Sequence, residues 1–337
     1  MLSVLGQSLH CSGYLIRAGY GQMEILWNRR PIAEVLKDDN TPVEIQKRLE
    51  HVERVRAFAA ERLGLDVRET YTTYTDINRE AAAWNVSASR PLAFQPKTWW
   101  FPIVGTVPYL GFFDRPRAEA EAESLRQDGW DVIVSDVAAY STLGWFNDPL
   151  LSSQMSYSES YLTSLVIHES AHATIWFPGD VSFNESFASF VEREGARQFD
   201  RETFGPDSAE LLNRIRYYSE AKQLSDVFHR YALKLQELYN SDRTDSEKTI
   251  GKSELIAEFQ SELKALQNEF KIINTAALAE KKFNNAHFLS HLRYESGQEY
   301  FQLRFDECNA DWTCFFKRMR ELNDLSAEER RALLNIP

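Results

Sequence analysis

Apolar residues recur at spacings of three and four along most of this chain, a period that predicts a largely helical protein. Leu15, Ile16, Tyr20, Met23, Ile25 and Leu26 predict a helix over roughly 13–36, stopped near Arg30-Pro31 because proline disfavours helical geometry before it. Val43, Ile45, Leu49, Val52, Val55 and Phe58 line one stripe of a second helix from Pro42 to Leu63, with Gly64 as its stop. The stretch holding Tyr71, Tyr74 and Trp84 has no clear period and reads as loop and short helix. From Trp99 the period shortens to two: Trp99 to Val104 and Val107 to Phe113 read as strands broken by Gly105. Pro116 then opens a helix that Gly129 ends, Trp130 to Val134 returns as a strand, and Val137 to Leu143 is a further extended candidate.

Helical spacing resumes after that. Ser156-Tyr157-Ser158-Glu159 has the form of a capping box, so a helix is expected from there to about Trp176. Pro178-Gly179-Asp180 is a turn, and a second box, Ser182 to Glu185, opens a helix from Phe183 to about Phe199 that should fold back antiparallel. Long amphipathic helices over Ser208–Tyr239 and Leu255–Ile273 should form a hairpin around a polar connection, Asn240 to Lys252. One aromatic-rich helix is expected over Ser296–Leu322, then a short charged helix. The fold class is α+β: residues 1–150 hold N-terminal helices and a mixed sheet, and 151–337 form a mostly helical portion. The two stand as separate halves or as one integrated domain.

With 337 residues, 43% of them hydrophobic, the chain has ample material for a core. A net charge of −12 without a basic stripe argues against a nucleic-acid partner, and no apolar run is long enough for a transmembrane span. Three cysteines cannot build a disulfide scaffold, although Cys308 and Cys314 are close enough in sequence to pair or to remain thiols. The first ten residues are too short and too weakly apolar for a complete signal peptide. Cys11 sits somewhat as a lipid-bearing cysteine would, so a periplasmic or lipid-anchored location is expected over a cytoplasmic one.

The chemistry concentrates in His168-Glu169-Ser170-Ala171-His172, an H-E-x-x-H pattern within the helix expected to end near Trp176. Residues four apart share a helix face, so two imidazoles can address one metal ion while Glu169 flanks them as a general base. A catalytic zinc ion takes three protein ligands, and the folded-back helix offers Glu185, with Glu192 nearly two turns further along the same face as the alternative. Each residue also has a purely structural reading, as core histidine, salt-bridge partner or helix cap. His287 and His291 repeat the spacing without an intervening glutamate, which favours a polar helix face over a second metal site.

H-E-x-x-H followed by Asn184-Glu185-Ser186-Phe187-Ala188 on a later helix resembles the gluzincin metallopeptidases, which include thermolysin and the membrane alanyl aminopeptidases. With Ala139 to Phe146 and Phe283-Asn284-Asn285-Ala286, the likeness is closest to bacterial predicted aminopeptidases and runs from about Gly21 to Leu322. The resemblance implies a zincin-like fold with a small sheet whose edge strand binds an extended peptide substrate. It also implies one Zn2+ ion held by His168, His172 and Glu185, Glu169 as base, and removal of N-terminal residues from peptides. Gluzincins often stabilise the oxyanion with Tyr or His, and Tyr294 is the candidate carried forward, beside Tyr217 and Tyr218. Three departures stand out. The gap from His172 to Glu185 holds twelve residues and is shorter than in thermolysin, Ser189 replaces an orienting aspartate, and the G-x-M-E-N amine-binding motif is missing. An endopeptidase and an inactive metal-binding interaction protein are the alternatives.

Overall fold

The computed structural model describes residues 23–101, 105–137, 148–292 and 297–334. Cys11, the segment Ala139 to Phe146 and Tyr294 lie outside them. After helical residues 23–27, the described chain runs β1 (Arg30–Pro31), α1 (Ile32–Val35), α2 (Val43–Glu61), β2 (Thr73–Thr75), β3 (Ala83–Ser89), β4 (Trp99–Phe101), β5 (Gly105–Val107) and β6 (Leu110–Phe112). Next come α3 (Arg115–Gln127), β7 (Asp131–Val137), β8 (Leu150–Leu151), a 3-10 turn (Ser152–Ser156), α4 (Glu159–Thr174) and α5 (Val181–Phe204). The remainder is helical: α6 (Ala209–Asn240), α7 (Asp245–Leu266), α8 (Thr275–Ala279), α9 (Asn285–Leu292), α10 (Gln298–Glu307), α11 (Trp312–Glu321) and α12 (Ala327–Leu333). The class is mixed α and β, with small sheets among many helices.

The main sheet has the order β6-β3-β7, antiparallel throughout, with Val86 opposite both Leu110 and Val134. Its central strand, β3, lies where the sequence reads as loop and short helix. Trp84, Val86 and Ala88 alternate with Asn85 and Ser87 and pack with Ala118, Ala122 and Leu125 of α3, a period-two pattern only three apolar residues long that follows an aperiodic stretch. β4 and β5 pair as a hairpin, whereas β1 and β2 pair antiparallel and β2 takes β8 in parallel.

Helix boundaries shift where side chains find other partners. Ser156 Oγ donates to Ser153 O (2.8 Å) and closes the 3-10 turn, so the cap of α4 is Ser158, which accepts from Tyr161 N (3.2 Å). Ser182 is inside α5, whose first residue is Val181 and whose N-cap is Asp180. Glu185 therefore does not serve as a reciprocal cap. The connection between α6 and α7 is shorter than expected, because Thr244 and Glu247 form a capping box that starts α7 at Asp245. The single helix expected over Ser296–Leu322 is two, α10 and α11, parted by Asn309 and Ala310 at positive φ and bridged by a Cys308–Cys314 disulfide.

Two large clusters organise the packing. The first joins α2, α4 and α5 to α10 and α11, with Phe183, Phe187 and Phe190 of α5 against Phe301, Phe305 and Phe315. Each such ring contributes about 2–3 kcal/mol by leaving water. The second closes the α6–α7 hairpin around Phe228, Phe259 and Phe288. Glu220 of α6 accepts backbone N–H bonds from Lys271, Ile272 and Ile273, which holds the chain leaving α7 against α6.

Candidate metal centre

Helix α4 is embedded along most of its length: Leu162, Val166, Ile167 and Ala171 are fully buried, and His51 of α2 bonds Thr163 Oγ1 (2.8 Å). That leaves a restricted face on which His168 and His172 stand, their rings 4.8 Å apart and their Nε2 atoms 3.2 Å apart. Trp176 meets His172 edge-on at 5.4 Å.

Helix α5 is brought back by a tight turn with several fasteners. Gly179 adopts φ +78°, a left-handed value that favours glycine. The fully buried Asn184 accepts from Phe177 N (2.9 Å) and donates to Phe177 O (2.8 Å), so one side chain clasps the turn from both sides. Arg330 of α12 donates to Asp180 Oδ2 (3.1 Å) and lies over the Phe177 ring (4.6 Å). Further along, Gly195 lets the two helices approach: a Cβ there would stand 3.1 Å from Ile167 Cγ2 and 2.7 Å from Leu63 Cδ1.

The residue after Asn184 is Glu185, whose carboxylate lies 3.5 Å from His168 Nε2 and 3.6 Å from His172 Nε2. One ligand atom from each of the three lies within 4.8 Å of the others, and no other such trio of His, Cys, Asp or Glu occurs among the described residues. Two imidazole Nε2 atoms and a carboxylate facing one point form a donor set that suits zinc. Glu192 takes a different place. It accepts from His168 Nδ1 (3.3 Å), the nitrogen turned away from Glu185, and from the Tyr218 hydroxyl (3.2 Å).

The family model described as "Putative aminopeptidase" matches residues 13–334. The chain belongs to this family. No curated protein and no solved structure matches it.

Electrostatics bind the trio together. Burial alone would depress His168, but the hydrogen bonds to Glu185 and Glu192 outweigh it and raise the imidazole to about 10. Burial likewise opposes ionisation of Glu185 and Glu192, yet their histidine contacts hold both carboxylates below the usual range. The Glu169 side chain makes no hydrogen bond among the described residues; its charge is felt by His168, Tyr71 and Tyr161. His172 Nδ1 is buried without a hydrogen-bond partner. Nothing from Ser189 supplies one.

Three further contacts support the centre. Asn184 acts on the turn, Tyr218 donates to Glu192, and a buried pair, Arg214 and Asp200, stands behind it. Arg214 Nη1 donates to Ser164 Oγ (3.0 Å), which lies 3.4 Å from the Tyr218 hydroxyl. The spacing Asn184-Glu185 signalled the first. Tyr218 and Arg214 lie on α6 and Asp200 near the end of α5, and none of them carries a local signal. His287 and His291 lie apart from the trio on α9.

Proposed function

We propose that the chain is a zinc-dependent aminopeptidase with a gluzincin-type site on a zincin-like fold. The observation that carries this is the convergence of His168 Nε2, His172 Nε2 and the Glu185 carboxylate beside Glu169, in a chain of this family. His168, His172 and Glu185 would hold the ion, which when bound supplies Lewis acidity and a more acidic water. Glu169 takes the proton from the attacking water and returns it to the departing amine. Glu192, hydrogen-bonded to His168 Nδ1, fixes the ring so that Nε2 is the free donor. Tyr294 stands as the proposed oxyanion donor. The peptide would lie extended along a sheet edge, with removal of N-terminal residues inferred from the family description.

The test pairs metal analysis with one substitution. Purified protein should carry about one zinc per chain, and Glu169→Gln should keep it while losing hydrolysis of a peptide with a free N-terminus. An N-acetylated version of that peptide should be spared by the unaltered protein. Turnover by Glu169→Gln at the original rate would remove Glu169 as the base, and equal cleavage of the acetylated peptide would point to an endopeptidase.

A further inference from the structure

The motif Phe283-Asn284-Asn285-Ala286 is far from the metal centre in sequence, and its side chains work on the sheet. Asn285 Nδ2 donates to Arg90 O (2.9 Å), its Oδ1 accepts from Tyr239, and its N–H meets Asp131 Oδ2 (2.9 Å), which Lys252 neutralises. Asn284 does two things. Its Oδ1 accepts from Ala286 N (3.0 Å) at the start of α9, and its Nδ2 donates to Val132 O (3.1 Å) on β7.

The second bond has a consequence for the edge of β7. Within a strand, successive residues turn their N–H and C=O to opposite edges. Val137 O accepts from Ala82 N on the β3 side, so odd-numbered residues of β7 face β3 and Val132, Val134 and Asp136 face outward. Among the described residues β7 pairs only with β3, and the outward backbone groups of Val134 and Asp136 have no partner. They line a cavity of about 540 Å3 whose other walls include Phe228, Phe283, Lys281, His287 and His291. At Val132 the Asn284 amide occupies the place the next peptide group would take.

We propose that Asn284 ends a peptide-binding edge on β7, and that the ligand is a short peptide whose free C-terminal carboxylate stops there beside Lys281. Antiparallel pairing brings the C-terminal end of the peptide to the Val132 end of the strand, where Asn284 blocks further pairing. Lys281, three residues before Asn284 and on the same cavity wall, supplies the cation for the carboxylate. The inference rests on the peptidase reading for the ligand's class. It adds a length limit and a terminal group.

The experiment is a calorimetric titration of zinc-loaded Glu169→Gln protein, and of the same protein carrying Asn284→Ser, with a ladder of peptides lengthened one residue at a time. Serine keeps a helix cap and is too short to reach Val132 O, so α9 retains its start while the edge is uncovered. Affinity should rise with length and then level off in the parent; in the Asn284→Ser protein it should rise for two further residues, by about fivefold. Amidating the C-terminus at the limiting length should weaken binding about tenfold in the parent, and Lys281→Met should abolish that difference. Asn284→Asp also keeps the cap, presents a carboxylate to the carbonyl, and should retain the parent's limit. An identical length profile in the serine and parent proteins, no effect of amidation, or no peptide binding at all would overturn the inference. Peptides bound with this profile but never hydrolysed by protein with Glu169 intact would instead sink the peptidase reading.

Discussion

Two helices of this chain carry a histidine pair at the same spacing, and the two pairs live in opposite electrostatic surroundings. On α4, His168 and His172 face two carboxylates from α5, and His168 is raised to about 10 despite burial. On α9, His287 and His291 are pushed down to about 4, by burial in both and by Lys281 at His287. His291 stacks on Phe228 at 4.0 Å, and His287 Nδ1 lies 2.9 Å from Asn284 Oδ1. Spacing alone therefore does not make a metal site. The α4 pair becomes a donor set because a turn returns a carboxylate to it, and the α9 pair lacks any such neighbour among the described residues.

The largest effect that would sharpen this contrast comes from removing that carboxylate. Glu185→Ala should lose zinc almost wholly, at least several hundredfold in affinity by chelator competition, since a third of the protein ligands goes with it. His291→Ala should leave affinity and stoichiometry unchanged. Loss of zinc from the α9 variant, or full retention by Glu185→Ala, would show that the carboxylate does not distinguish the two pairs.

Much of the α4–α5 centre was legible in the sequence because its parts are local. The H-E-x-x-H repeat needs only the helical period, and Pro178-Gly179 announces the return of the chain. The capping boxes misled by two residues, because Ser156 bonds Ser153 O instead of capping α4, and α5 already starts at Val181, ahead of Ser182. β3 escaped notice because its apolar alternation, Trp84, Val86 and Ala88, is only three residues long and follows an aperiodic stretch. The break between α10 and α11 depends on positive φ at Asn309 and Ala310, where neither glycine nor proline gives warning. Tyr218 and Arg214 reach the centre only through tertiary packing, which no window of sequence contains.

Acid should separate the two pairs in stability. In the unfolded chain His287 and His291 bind a proton as pH falls through their ordinary value near 6.5, whereas folded they resist until about 4. The unfolded state thus holds more protons between those values, and stability present above pH 6.5 is lost on the way down to 4. Allowing for their partial contact with solvent and for the neighbouring charges of Lys281 and Asp131, the pair accounts for about 1–3 kcal/mol. Urea midpoints taken across this range should fall with pH, and His291→Leu, which keeps an apolar contact with Phe228, should flatten the slope. An unchanged slope would show that His291 titrates normally.

Removing the carboxylate behind His168 should weaken the centre without dismantling it. Glu192→Gln keeps the size of the side chain and loses the charge facing His168 Nδ1, so zinc affinity should fall about 10- to 100-fold. A loss as large as that of Glu185→Ala would make Glu192 a ligand and reverse the roles drawn from the distances.

The smallest effect tests how far the centre extends into α6. Tyr218 donates to Glu192, and Ser164 links the same hydroxyl to Arg214, which Asp200 holds in place. Tyr218→Phe removes one hydrogen bond from the Glu192 carboxylate and leaves the ring, so zinc affinity should drop by about fivefold with little change in thermal midpoint. In a Glu192→Gln background the same substitution should have almost no further effect on affinity, because the tyrosine acts through the carboxylate. Equal losses in both backgrounds would mean that Tyr218 reaches the centre by another route. On α9 there is no counterpart, since among the described residues no carboxylate is hydrogen-bonded to His287 or His291.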